Sequence, residues 1–121
     1  MSSSGLEEIL QIVIGSVWVF HGFYSKLLNG IPRHRLIVGK ILGDQIAGPA
    51  TKTIGCLEVL VGVWAFSGFV RVDCAVVQTL AIVSMNALEI AFARSLLIST
   101  PGMVILNLAF LGAIWRWASF A

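Results

Sequence analysis

Charge is scarce in this chain: Asp, Glu, Lys and Arg make up only 12% of its residues, about half the share of an average soluble domain. The formal net charge is +2, and the basic residues are too scattered to form the stripe that grips a nucleic-acid backbone. Cysteine and histidine are scarcer still, with 2 of each. Cys56 and Cys74 form no Cys-x-x-Cys pair, which excludes dithiol exchange of the vitamin K epoxide reductase type and argues against a zinc knuckle. Their placement, one inside an apolar run and one at the start of the next, puts them too far apart for a disulfide. Both are expected to be buried, inert thiols. His21 and His34 are poorly placed as paired haem ligands, and neither a His-x-x-x-His nor a Glu-x-x-His pair is present, so no metal site is expected and the sequence requires no cofactor. No Lys or Arg precedes the first apolar run, which instead follows Glu7 and Glu8. That is not the charge pattern of a cleaved leader, so the first run is expected to stay as an anchor.

What is abundant is apolar surface. Of 121 residues, 58% are hydrophobic, and the mean hydropathy is +0.94. A single domain of this size has too little interior to hide so much, so part of it must face lipid. Four runs carry it, at about 9–28, 51–70, 74–98 and 101–120, each with the roughly 20 residues that a hydrocarbon core of about 30 Å demands. Continuous runs satisfy their own amides as helices, whereas barrel strands alternate polar and apolar positions. The expected fold class is therefore all-α: one integral membrane four-helix bundle spanning residues 1–121. Asn29-Gly30-Ile31-Pro32 breaks the first run, and Ser99-Thr100-Pro101-Gly102 has the hydroxyl cap and early proline of a helix start. Trp115 and Trp117 resemble an interfacial aromatic belt.

The long connection, Asn29 to Ala50, is expected to hold a short helix over Arg35–Ile46, lying on the membrane or folded back against the bundle, in which Lys40 could pair with Asp44 at i,i+4. One face of the bundle holds Lys26, Arg33, Arg35, Lys40, Lys52 and Arg94, and the other only Arg71 and Arg116. The positive-inside rule then makes the long loop cytoplasmic and puts both termini outside.

Ionisable groups within a span cost about 2.5–3.5 kcal/mol on insertion scales, so each needs a reason. Glu58 and Glu89, on antiparallel spans, should both lie roughly 10–14 Å inside one membrane face. His21 and Asn107 reach a similar depth, Lys26 and Arg94 lie nearer the face, and Asn86 lies a little deeper. Asn86 with Glu89, and His21 with Tyr24, are also i,i+3 pairs. A polar cluster of His21, Tyr24, Lys26, Glu58, Asn86, Glu89, Arg94 and Asn107 is thus the candidate site. It either binds a polar headgroup, a quinone ring, a proton or a cation, or holds helix register through Glu pairs with Lys26, Arg94 or His21. Gly55 and Gly62 flank Glu58 on its own face, where small residues admit a close neighbour.

The stretch Gly15-Ser16-Val17-Trp18-Val19-Phe20-His21-Gly22-Phe23-Tyr24-Ser25-Lys26-Leu27-Leu28 resembles the first-helix signature of the DoxX-like family. Gly55-x-x-Glu58-x-x-x-Gly62 is similar to that family's second-helix signature. The resemblance implies a four-helix membrane bundle in a bacterial inner membrane and assigns no catalytic residue. It points to an accessory or ligand-binding subunit, quinone- or lipid-proximal, in a membrane complex or homo-oligomer. The alternative is a small proton-coupled transporter working as an oligomer, although the first span's own acidic residues, Glu7 and Glu8, lie at its end rather than mid-span.

Overall fold

The computed structural model describes residues 3–120, and among them every regular element is helical. Helix α1 runs over Ser3–Val19 and continues as a π-helical segment, Phe20–Leu27. Helix α2 is Pro32–Leu42, α3 Ala47–Ser67, α4 Arg71–Phe92 and α5 Thr100–Ala118. Four segments, Gly5–Leu27, Ala47–Ser67, Arg71–Phe92 and Thr100–Ala118, are long and apolar enough to cross a membrane. Their outer surfaces are strongly apolar, with Leu106 72% and Leu60 63% exposed.

Local chemistry sets each boundary. Asn29 takes a left-handed conformation (φ 53°) that ends the π segment. Ile31, held extended ahead of Pro32, starts α2 behind it. Gly68, at φ 68°, closes α3 as its left-handed cap, and Trp64 Nε1 pins that turn by donating to the Phe69 carbonyl at 2.7 Å. The expected start of the last helix is borne out in detail: the Ser99 hydroxyl accepts from the Gly102 amide at 3.1 Å, with Pro101 in the first turn.

Two segments differ from the sequence reading. The connecting helix is not Arg35–Ile46 but Pro32–Leu42, because Gly43 breaks it at φ 107°. Lys40 and Asp44 therefore flank a break and make no ion pair with one another among the described residues. From the proline onward the pattern is clean. His34, Ile37, Val38 and Ile41 fall at i, i+3, i+4 and i+7, the stripe of a helix with one inward face, and Ile37 and Val38 are buried. The third apolar run also does not stay helical to Ile98. Helix α4 stops at Phe92, and a single tight turn, Arg94–Leu96, leads toward α5.

Packing is uneven along the molecule. At the end holding the α3–α4 turn, Ile14, Cys74, Ile114 and Trp117 are fully buried in one apolar core. Buried polar groups there are matched: Trp18 Nε1 donates to Gln78 Oε1 at 2.7 Å, and Gln78 Nε2 reaches Cys74 Sγ at 3.2 Å. Arg71 pairs with Glu7 and lies over the Trp117 ring, 5.4 Å from its centroid. Both cysteines are free. Cys74 is buried as expected, but Cys56 lies on the exposed face of α3, because that helix turns its glycines inward instead. Toward the opposite end the helices diverge. There α2 folds back against α3, α4 and the π segment, the second of its two expected placements.

Candidate functional site

Where the helices diverge they leave a cavity of about 710 Å³, within the usual range for small-molecule sites. Its walls come from all five helices. Trp18, Ile82 and Phe110 line it beside the packed core, with Trp18 and Phe110 rings 6.3 Å apart between centroids. His21, Lys26, Arg33, His34, Glu58, Asn86, Glu89 and Asn107 bring polar groups to it. An apolar chamber with convergent polar groups is the usual form of a site for an amphipathic guest.

The strongest polar contact joins the π segment to α3. Lys26 Nζ lies 2.8 Å from Glu58 Oε1 and 3.1 Å from Oε2, the second with hydrogen-bond geometry. Both side chains are only 6% exposed. Burying two charges is costly, and short double contact with both carboxylate oxygens is what makes it tolerable. The π winding assists this placement. Its wider turn brings residues five apart toward one face, so that His21 and Lys26 line the same cavity; such windings often accompany functional sites. Gly22 and Gly55 let the two backbones touch beside the pair.

Opposite them, Asn107 Nδ2 donates to Asn86 Oδ1 at 2.7 Å, tying α5 to α4. The rings of His21 and His34 stack at 5.7 Å and 15°, linking the π segment to α2. Burial drives the His34 imidazole down to about 4, assisted by the positive charge of Lys26 and by His21 and Arg33. At neutral pH it is therefore an uncharged wall residue, and its Nδ1 is buried without a partner. Among the described residues no group of three or more His, Cys, Asp or Glu could hold a metal ion.

Six of the eight residues picked from the sequence thus line one cavity: His21, Lys26, Glu58, Asn86, Glu89 and Asn107. The other two lie apart. Tyr24 is turned outward, 46% exposed and stacked on Phe20 at 5.2 Å, because the π winding separates it from His21's face. Arg94 is exposed on the turn after α4, carried outward when that helix ends at Phe92. Glu58 takes Lys26 as partner rather than Arg94 or His21. Sequence reasoning missed Trp18, Arg33 and His34. The last two were legible in the inward stripe of α2, provided that the helix was started at Pro32.

Residues 15–115 match the model of the DoxX-like family. No curated protein and no solved structure matches the chain.

Proposed function

This chain belongs to the DoxX-like family, and from that premise we propose that it is a noncatalytic membrane subunit that binds an amphipathic small molecule, a quinone or a lipid, between its helices. The observation that supports this reading is the continuity of the cavity, from Lys26–Glu58 and the paired asparagines to the Trp18, Ile82 and Phe110 wall. A guest with a polar head and an apolar body matches both parts. In this reading the four long helices span a bacterial inner membrane with the termini outside, and α2 lies at the cytoplasmic face beside Arg33, Arg35 and Lys40. Lipid surrounds the bundle, and protein partners or further copies of the chain complete the complex.

Native mass spectrometry of the protein released from nanodiscs tests the proposal. One amphipathic molecule should stay bound, and Met85→Trp, which fills the cavity from α4, should expel it while helicity is kept. An unchanged set of bound molecules in that variant would sink the reading. A second reading, a small proton-coupled transporter, draws on the buried Lys26–Glu58 pair inside a span, since intramembrane ion pairs mark proton paths. Proton flux into liposomes that Glu58→Gln abolishes would favour it.

A further inference from the structure

The identity of the guest's head can be read from which charges in the cavity already have partners; this rests on the cavity being a ligand site. Lys26 and Glu58 neutralise one another. That leaves one cation, Arg33 on α2, and one carboxylate, Glu89 on α4, two helices that pack together around the cavity. Neither side chain makes an ion pair or a hydrogen bond among the described residues, both are only partly exposed, and the positive charges of Lys26 and Arg33 reach Glu89 only across the cavity, without contact.

A neutral head leaves both charges without a contacting partner in a poorly solvated place. A purely anionic head suits Arg33 but meets like charge at Glu89. A head carrying both a phosphate and a primary ammonium answers both. We infer that the cavity holds the headgroup of a zwitterionic aminophospholipid. Its phosphate oxygens accept from the Arg33 guanidinium and its ammonium donates to the Glu89 carboxylate. A quaternary ammonium fits less well, since it has no hydrogen to donate, and the lining rings of Trp18 and Phe110 lie tilted against one another beside the core instead of caging a cation.

The apolar remainder of the guest has a way out. Leu42, Leu88, Ile98 and Leu106 all line the cavity and are 52%, 43%, 82% and 72% exposed. Helices α2 and α5 both line the cavity and share little packing among the described residues. Acyl chains can therefore pass from the headgroup into the surrounding bilayer, and Arg33 and Glu89, near the ends of their helices, sit at headgroup depth.

The test is delipidated protein returned to phosphatidylcholine nanodiscs doped with phosphatidylethanolamine, phosphatidylglycerol or a long-chain benzoquinone, with bound molecules counted by native mass spectrometry. Phosphatidylethanolamine should be retained over the other three. Glu89→Gln and Arg33→Gln should each lower its retention by roughly tenfold to a hundredfold, the worth of one charged hydrogen bond, without shifting the unfolding temperature much. Arg33→Lys should keep most of it. Soluble glycerophosphoethanolamine at equal concentration should not displace it, because it lacks the chains, and efficient displacement would overturn the lipid assignment. Equal retention of phosphatidylglycerol, or indifference to Glu89→Gln, overturns the zwitterion. Retention of the quinone instead overturns the lipid class but leaves the amphiphile reading standing. Retention of nothing overturns both.

Discussion

Gly22 and Gly55 bring the backbones of α1's π extension and α3 into direct contact. A Cβ on Gly22 would sit 2.5 Å from the Gly55 carbonyl oxygen, and one on Gly55 would sit 2.7 Å from that of Gly22. Further along the same antiparallel pair, a Cβ on Gly62 would lie 2.9 Å from the Gly15 carbonyl oxygen. Two glycine pairs at matching intervals set a register in which Lys26 sits beside Gly55, within one turn of Glu58.

The first prediction concerns this seam. Gly22→Ala and Gly55→Ala should each destabilise the protein by about 1–3 kcal/mol through overpacking, because backbone atoms cannot yield as a flexible side chain does. Gly112→Ala is the control: a Cβ there meets nothing, and alanine is the better helix former. Thermal unfolding in detergent should rank them so, and equal midpoints for Gly55→Ala and Gly112→Ala would refute the close approach.

Removing one member of the Lys26–Glu58 pair should cost more than removing both. Lys26→Met leaves a carboxylate buried without its counter-charge, a loss of about 3–5 kcal/mol for a broken buried pair. Lys26→Met combined with Glu58→Leu should recover much of that. A double-mutant cycle on unfolding free energies checks it, and additive single effects would show that the contact carries no coupling.

Stability should fall with acid through His34. Its pKa is about 4 in the fold against 6.5 unperturbed, so between those values the unfolded chain binds the extra proton. The neutral imidazole's contribution is complete above about pH 6.5, declines as pH falls toward 4 and changes no further below that. His34→Phe should flatten this part of the midpoint-against-pH curve. A variant curve parallel to the parent's across the whole window would assign the acid sensitivity elsewhere.

Thiol reactivity should separate the two cysteines. Cys56, exposed on α3, should react with a lipid-soluble maleimide in the native protein, whereas Cys74 should wait for unfolding. Once Cys56 is replaced by Ala, an introduced cysteine reports the orientation. An impermeant reagent on intact cells should reach Phe69→Cys, in the α3–α4 turn on the side of the termini, and not Arg35→Cys on α2. The reverse pattern inverts the proposed topology.

Much of this arrangement is legible in the residues. Long apolar runs bounded by Asn29, Arg71–Asp73 and Ser99–Pro101 dictate helices of spanning length, because backbone amides in lipid have no other partner. Depth along such helices follows from a fixed rise per residue, which is why Glu58, Glu89, His21 and Asn107 could be assigned to one level. Rotation about each helix axis does not follow from that count. The π winding at Phe20–Leu27 changes the angle between successive side chains, turning Tyr24 outward while admitting Lys26 beside His21, and nothing in local composition announces it. The inward fold of α2 depends likewise on Gly43 ending the helix early and on its His34–Ile41 stripe finding α3 and α4. Sequence alone indicated that the long apolar segments are helical and gave the polar groups an expected depth, since both are properties of one helix. Which carboxylate is paired, which charge is left over, and whether a cavity exists were decided by contacts between helices, which only the tertiary structure sets.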